Sequence, residues 1–206
     1  MRTVAILPVK TFGRAKQRLT GAFSDRPALA AAMVADVLET LTAIDAIDHV
    51  IVVTAERDAA DIARSAGARV VHDPVEAGQS AAALLGIAEA AAERVLLVPG
   101  DCPSLDAGEV RTLLAHTAPV VIVPDRHGTG TNALLLTPPD VMAPAFGAGS
   151  FARHAVLARA AGCEPKVVEI PSLGLDVDTP EDLAALRRAP GIGPRTRALL
   201  EQAAVA

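Results

Sequence analysis

The chain has no tryptophan, no tyrosine and only four phenylalanines. Proteins that hold single-stranded nucleic acid stack bases on aromatic rings, so a chain this poor in rings is not built for that work. Cations do not make up the difference. Nineteen Lys and Arg stand against 24 Asp and Glu, a net charge of −5, and no long basic block occurs. Duplex binding rests on neutralising phosphates, so nucleic acid is not expected as the main partner. Cysteine is scarce too. Cys102 and Cys163 form no metal-ligand spacing and no disulfide framework, and both read as reduced, packing as small apolar side chains. Hydrophobic residues make up 51% of the chain, yet no apolar run approaches the ~20 residues of a membrane span. The first apolar run ends at Pro8 and Lys10, before the apolar region and cleavage site of a secretory signal. The expectation is a cytoplasmic protein without a membrane partner.

What is present is a βα alternation. Its 206 residues suffice for one sizeable α/β domain. Val4 to Val9 is a continuous apolar run, as in a strand buried on both faces. Leu29, Met33, Val37 and Leu41 are spaced four apart, which predicts a helix over Arg26 to Leu41. Strands are expected at 49–54, 68–72, 95–99, 119–124, 132–136 and 166–170. Helices are expected at 56–66, closed by Gly67, and at 80–92, 106–116, 150–161 and 179–188. This order predicts a three-layer, Rossmann-like α/β fold: a mainly parallel central sheet with helices on both faces. Ligands in such sheets bind beyond the carboxyl ends of the strands. The polar clusters at Lys10, Asp101, Asp125 and Asp176 all fall at or near such ends.

Asp176-Val177-Asp178-Thr179-Pro180-Glu181-Asp182 carries the most chemistry. Asp176 and Asp178 are two residues apart, so in extended backbone they share a face. Thr179 and Pro180 then start a helix as N-cap and first residue, and Glu181 and Asp182 suit its positive end. Leu97-Val98-Pro99-Gly100-Asp101-Cys102-Pro103 sets a further carboxylate just after an apolar strand, with Gly100 allowing a tight turn. Asp101, Asp176 and Asp178 together are expected to form a three-carboxylate seat for a hard cation, Mg²⁺, which prefers oxygen ligands. The plainer alternatives are a charged, well-capped loop and a helix cap at Asp101. After the first strand, Lys10, Arg14, Lys16 and Arg18 form a basic loop that is neither a P-loop nor a dinucleotide fingerprint. These cations can clamp a polyphosphate, or form a solvated basic loop.

In order along the chain stand Pro8-Val9-Lys10 with Ala15-Lys16-Gln17-Arg18-Leu19, Pro99-Gly100-Asp101-Cys102-Pro103, Pro124-Asp125 through Gly130-Thr131-Asn132-Ala133-Leu134, Phe146-Gly147-Ala148-Gly149-Ser150-Phe151-Ala152-Arg153-His154, and Asp176-Val177-Asp178-Thr179-Pro180. This set resembles the phosphoenolpyruvate and 2-phospho-L-lactate guanylyltransferases of coenzyme F-420 biosynthesis, over about residues 3–188. The resemblance implies a nucleotide-diphosphosugar-transferase-like fold, with GTP as substrate and Mg²⁺ as cofactor. A phosphate oxygen of a small phosphorylated carboxylate attacks the α-phosphorus and pyrophosphate leaves. It also implies roles. Asp101, Asp176 and Asp178 bind the metal. Thr131, Gly147 and Ser150 bind the acceptor. From the basic loop itself, Pro8, Lys10, Arg14, Lys16 and Arg18 are the residues expected at the nucleotide, with Lys10 and Asp101 at the reacting centre. The family commonly has Gly-Leu-Asn ahead of the base-pocket helix. Here Glu76-Ala77-Gly78-Gln79-Ser80-Ala81 stands there, so Gln79 and Ser80 are the groups expected at the base.

Those roles make physical sense. Ser150 is at a predicted helix start, where hydroxyl and backbone N–H groups hold anions. Gly147 lets backbone approach a ligand closely. His154, four residues on, shares a helical face with Ser150; it either orients Ser150 or packs, and it is not counted as catalytic. No general base is required, since a phosphate monoester is already ionised, and positioning with charge neutralisation can carry the rate. The implied product is an unstable diphosphate, which points to direct hand-off to the next enzyme.

Residues 1–189 thus read as a nucleotidyltransferase domain and 190–206 as a C-terminal helical tail. Pro190-Gly191-Ile192-Gly193-Pro194 resembles a helix-hairpin-helix turn that offers backbone N–H groups to a DNA phosphate. A capped helix packed on the domain is the favoured reading, given the net charge. Two alternatives stand beside the guanylyltransferase: a molybdopterin or sugar-phosphate nucleotidyltransferase, whose Gly-rich opening loop is missing here, and a nucleic-acid binder using the tail. Deleting 190–206 is expected to leave a transferase's turnover intact.

Overall fold

The computed structural model describes residues 1–14 and 16–205, apart from the side chains of Arg14, Ala204 and Val205. Strand β1 (Thr3–Pro8) leads through two 3₁₀ turns, Phe12–Arg14 and Gln17–Leu19, into α1 (Arg26–Thr42). There follow β2 (His49–Thr54), α2 (Arg57–Ser65), β3 (Arg69–His72), α3 (Gln79–Ala90), β4 (Arg94–Leu97), α4 (Ala107–Leu114), β5 (Val120–Pro124) and β6 (Thr131–Leu136). The chain ends with α5 (Ser150–Ala160), β7 (Lys166–Val167), the one-turn α6 (Pro171–Gly174), α7 (Pro180–Leu186) and α8 (Pro194–Val205). The strand expected over 166–170 is thus only two residues long, because Pro171 opens α6 directly behind it.

The seven strands run in the order β3-β2-β1-β4-β6-β5-β7. All neighbours pair parallel except β6, which is antiparallel to both β4 and β5. The reversal has a local cause. Only a short loop joins β5 to β6, whereas a parallel partner needs a crossover of a dozen or more residues. Asp125 shapes that loop. Its carboxylate accepts from the backbone N–H groups of His127, Thr129 and Gly130 at 3.1, 2.9 and 2.8 Å, and these bonds hold its carboxyl below the usual range against the opposing effect of burial. The start of β6 therefore lies on the same sheet edge as the ends of β1, β4 and β5.

The apolar strands serve both faces by alternation. Ala5, Leu7, Leu96, Val121, Val123, Ala133 and Leu135 pack with α1, α2 and α4, while Val4, Ile6, Val95, Leu97, Ile122, Leu134 and Leu136 pack with α3 and α5. A third, smaller cluster lies under the basic loop. It joins Leu19 and Phe23 to Leu29 and Met33 of α1, to Val177, to Leu183 and Leu186 of α7, and to Leu200 of α8.

The tail is built into this wall. The Asp36 carboxylate on α1, 4% exposed, accepts from the N–H groups of Arg195 and Thr196 at 3.2 and 2.8 Å, at the start of α8. Gly193 N–H donates to the Pro103 carbonyl at 2.8 Å. The amides that a hairpin of this kind would offer to a DNA phosphate are thus already bound to a carboxylate of the same chain. Gly193 is a matter of space: a Cβ there would stand 2.3 Å from Asp36 Cγ.

Candidate active site

Strand order reverses beside β1. The chain lays β2 and β3 on one side of it, then β4 on the other. At such a switch point the loops leaving adjacent strands part, and ligands enter the crevice. The loop after β1 carries Lys10, Lys16 and Arg18, and the loop after β4 carries Asp101. An open cleft is lined by Lys16, Gln17 and Arg18 of the first loop and by Asp178.

Gly100 precedes Asp101 for reasons of room, since a Cβ would lie 2.9 Å from Val34 Cγ2. The backbone then ties two loops together: Val177 N–H donates to the Asp101 carbonyl at 3.1 Å, which sets Asp176 and Asp178 beside Asp101. Asp178 is fixed again from the α7 side. Asp182 accepts from the backbone N–H of Asp178 and Thr179 at 3.1 and 2.8 Å. Thr179 Oγ1 caps the Asp182 N–H in return, a reciprocal capping box, and Arg126 braces Asp182 at 2.6 Å.

Lys16 stands in the middle. Its backbone is left-handed, φ 55, a region that costs a non-glycine residue of order 1 kcal/mol or more. The turn sends the ammonium inward to Asp101 Oδ2 at 2.5 Å and Asp178 Oδ1 at 2.9 Å, with the side chain only 6% exposed. Burial works to discharge it, but the two carboxylates prevail and hold its pKa above the ordinary lysine value. The half-buried Asp176 accepts from Asn132 Nδ2 at 3.1 Å, and the same amide group donates to the Leu173 carbonyl at 2.6 Å. Burial, then the charge of Asp101, push the Asp176 carboxyl up. Burial likewise drives the Cys102 thiol well above its ordinary value, so this cysteine packs rather than reacts.

The three acids expected as metal ligands share one sheet edge but are not a ready-made cage. Among the described residues no three His, Cys, Asp or Glu side chains group to hold a metal ion. Like charges repel at close range, and an ammonium separates two of the three. The donor set still suits a hard dication. It is all oxygen, three carboxylates against one ammonium leave two negative charges, and Asp101 Oδ1 is buried without a hydrogen-bond partner.

The second half of the site is at the start of β6 and α5. Thr131 and Ser150, 7% and 2% exposed, are joined: Thr131 N–H donates to Ser150 Oγ at 2.9 Å. His154 contacts Thr131 Oγ1 at 2.9 Å, not Ser150, through Nδ1, and its Nε2 accepts from Ala145 N–H at 2.8 Å. Two of the backbone amides expected to face an anion at this helix start are committed within the chain, Ser150 N–H to the Gly147 carbonyl and Phe151 N–H to the Thr129 carbonyl, which leaves the hydroxyls as the prominent donors. Gly147 is required by its backbone, φ 114, a conformation that L side chains rarely adopt. Arg153 braces the same loop through the Ala145 and Ala148 carbonyls, both at 2.7 Å.

Lys10 and Arg18 are exposed, Pro8 is half-buried at the end of β1, and Gln79 and Ser80 are half-buried at the start of α3. Ser80 Oγ accepts from Phe146 N–H at 2.8 Å, which links the start of α3 to the loop ahead of Gly147. The Arg14 side chain lies outside the described residues. Asn132 and Asp182, which hold Asp176 and Asp178, were not singled out as site residues. Asn132 directly after Thr131 was the available signal, because an amide in an otherwise apolar strand needs a buried polar partner.

His154 is wholly buried. Burial, then the nearby Arg153 cation, lower its pKa to about 4. An unfolded histidine titrates near 6.5, so between these values the unfolded state binds more protons and stability falls as pH falls. Acidifying from pH 6.5 to 4 is expected to remove about 3 kcal/mol through this one group. Comparing urea midpoints across that range for the wild type and His154→Gln checks this. The variant's profile should be flatter by about that amount.

A basic loop after β1 thus meets carboxylates after β4 and before α7, across the switch point of a mainly parallel sheet with helices on both faces. The fold is shared with solved structures. One described as a nucleotide-diphospho-sugar transferase from Desulfovibrio desulfuricans has a TM-score of 0.76 and 19% identity, with 98% of this chain and 95% of that one covered. CMP:2-keto-3-deoxy-manno-octonic acid synthetase, complexed with CTP, has a TM-score of 0.62 and 15% identity, covering 91% and 98%. The chain belongs to the family described as guanylyl transferase CofC like, whose model matches residues 3–202 and so runs on into α8. Phosphoenolpyruvate guanylyltransferase of Conexibacter woesei is 48% identical, covering 98% of this chain and 96% of the relative. A 3-phospho-D-glycerate guanylyltransferase of Phenylobacterium zucineum is 40% identical, covering 95% and 94%. Among the described residues no helix is long and apolar enough to cross a membrane.

Proposed function

We propose that the protein transfers GMP from GTP to the phosphate of phosphoenolpyruvate, giving enolpyruvoyl-2-diphospho-5′-guanosine for coenzyme F-420 biosynthesis. A phosphate oxygen of the acceptor forms a bond to the α-phosphorus, the bond from that phosphorus to the bridging oxygen breaks, and pyrophosphate leaves. The observation that carries this reading is the near full-length likeness, at 48% identity, to a phosphoenolpyruvate guanylyltransferase. The hydroxyls of Thr131 and Ser150 support it. Each already accepts a hydrogen bond from within the protein, which leaves its own proton for an anionic acceptor.

Asp101, Asp176 and Asp178 would hold Mg²⁺, which when bound supplies charge neutralisation to the triphosphate. Lys16, buried among these acids, and the exposed Lys10 after β1 would carry positive charge to the nucleotide phosphates. Asn132 and Asp182 keep Asp176 and Asp178 in place. The 3-phospho-D-glycerate relative at 40% identity makes that acid the second acceptor to test.

Pyrophosphate release with GTP and Mg²⁺ should be fast with phosphoenolpyruvate and slow with 2-phospho-L-lactate and 3-phospho-D-glycerate. Release with none of the three would overturn the acceptor assignment. Ser150→Ala is expected to raise the KM for the acceptor about tenfold, the scale of one hydrogen bond to a charged group, with the KM for GTP unchanged. An equal rise in both would move Ser150 to the nucleotide site.

A further inference from the structure

Of the five histidines, His154 alone is buried, and both of its ring nitrogens are engaged. The partners decide the tautomer. A backbone N–H can only donate, so Nε2, 2.8 Å from Ala145 N, carries no proton. The proton of the neutral ring is therefore on Nδ1 and is donated to Thr131 Oγ1 at 2.9 Å. That hydroxyl, with an acceptor position filled from inside, directs its own proton elsewhere. Ser150 Oγ is in the same condition, because it accepts from Thr131 N–H. A free hydroxyl serves as donor or acceptor indifferently, whereas one polarised in this way is the better donor. A carboxylate or phosphate needs donors only.

We propose that His154 is a positioning residue for acceptor binding. Its neutral imidazole sets the Thr131 hydroxyl as a donor toward the acceptor's anionic group, and the Ala145 bond fixes the tautomer that does so. The Phe146 ring, edge-on to the imidazole with centroids 5.1 Å apart, holds the ring plane. With both nitrogens bonded, His154 does not take a proton from the acceptor. The inference rests on the reading of Thr131, Gly147 and Ser150 as the acceptor site, and the test separates the two.

The variants are His154→Gln, His154→Asn, Thr131→Val and the double variant Thr131→Val/His154→Gln, with KM for phosphoenolpyruvate and for GTP, kcat from pH 6 to 9, and thermal midpoints measured for each. Gln reaches the Nε2 position and keeps the Ala145 bond; Asn reaches the Nδ1 position and keeps the donor to Thr131. His154→Gln should raise the acceptor KM about tenfold, with the GTP KM held within about twofold. His154→Asn should return the acceptor KM to within about threefold of wild type, and the double variant should be no worse than Thr131→Val alone. The pH profile of kcat should keep its shape. An unchanged acceptor KM in His154→Gln, a parallel rise for GTP, an additive double variant or a lost ionisation would each overturn the proposal. An unchanged acceptor KM in Thr131→Val would instead overturn the acceptor-site reading. If His154→Gln fails to fold, the His154→Asn rescue against Thr131→Val decides the matter alone.

Discussion

Asp101→Asn is expected to lower the saturated rate of pyrophosphate release at least about a hundredfold, because neutralising charge at the attacked phosphorus through a metal is worth several kcal/mol. The change is nearly isosteric. It removes one negative charge from the group of Asp101, Asp176, Asp178 and Lys16, where two are left over for a dication. The substituted amide keeps an acceptor for Lys16 but turns an NH₂ toward one of the two positions, where the ammonium repels it or the metal is refused. The fold should not suffer. The backbone bond from Val177 to the Asp101 carbonyl is untouched, and Oδ1 has no hydrogen-bond partner to lose. The thermal midpoint should therefore stay near that of the wild type while turnover collapses. Asp178→Asn should behave alike, for Asp178 also faces Lys16. Wild-type rates in both variants, or full activity of the native enzyme in excess chelator, would remove Mg²⁺ from the reading.

Much of this site was legible in the chain because the sheet architecture does the gathering. An acid just past an apolar run, as at Asp101, is at a strand end whatever the tertiary detail. An Asp-x-Asp pair before Thr-Pro is at a helix entry. What the sequence hid has three physical causes. The first is direction: β6 reads as one more buried strand, and only the Asp125-wrapped loop makes it antiparallel and brings Thr131 to the active edge. The second is local conformation. Nothing about Lys16 announces a left-handed backbone, which glycine adopts far more readily, so its pairing with Asp101 and Asp178 at the cleft could not be read from the chain. The third is range. Asp36 and Thr196 are bonded across 160 positions, and His154 bonds Thr131 across 23. Helical periodicity names only neighbours on the same helix, which is why it pointed to Ser150.

The tail shows the consequence most sharply. Removing residues 190–206 is expected to abolish both turnover and cooperative unfolding near the wild-type midpoint, the reverse of what the sequence alone implied. Truncation strips the Asp36 carboxylate of the amides of Arg195 and Thr196, charge-assisted bonds worth about 1.5–3 kcal/mol each. It also removes Leu200 from the cluster that backs Leu19 and Val177, the residues beneath the Lys16 and Asp176–Asp178 loops. The Pro103 carbonyl, two residues beyond Asp101, loses its donor at Gly193. Gly193→Ala probes the same contact with one methyl group, which would stand 2.3 to 2.4 Å from Asp36 Cγ and Cβ. Neither atom is the free end of a flexible chain, so α8 must shift, and a loss of about 2–3 kcal/mol is expected, within the range for overpacking a close contact. Thermal unfolding and pyrophosphate release measured on both variants decide the point. If the truncated chain keeps the native midpoint and rate, α8 is a dispensable appendage and the Asp36 contact is ornamental. If both fall together, and Gly193→Ala lowers the midpoint in the same sense, the C-terminal helix is part of the wall that holds the acids and Lys16 in place.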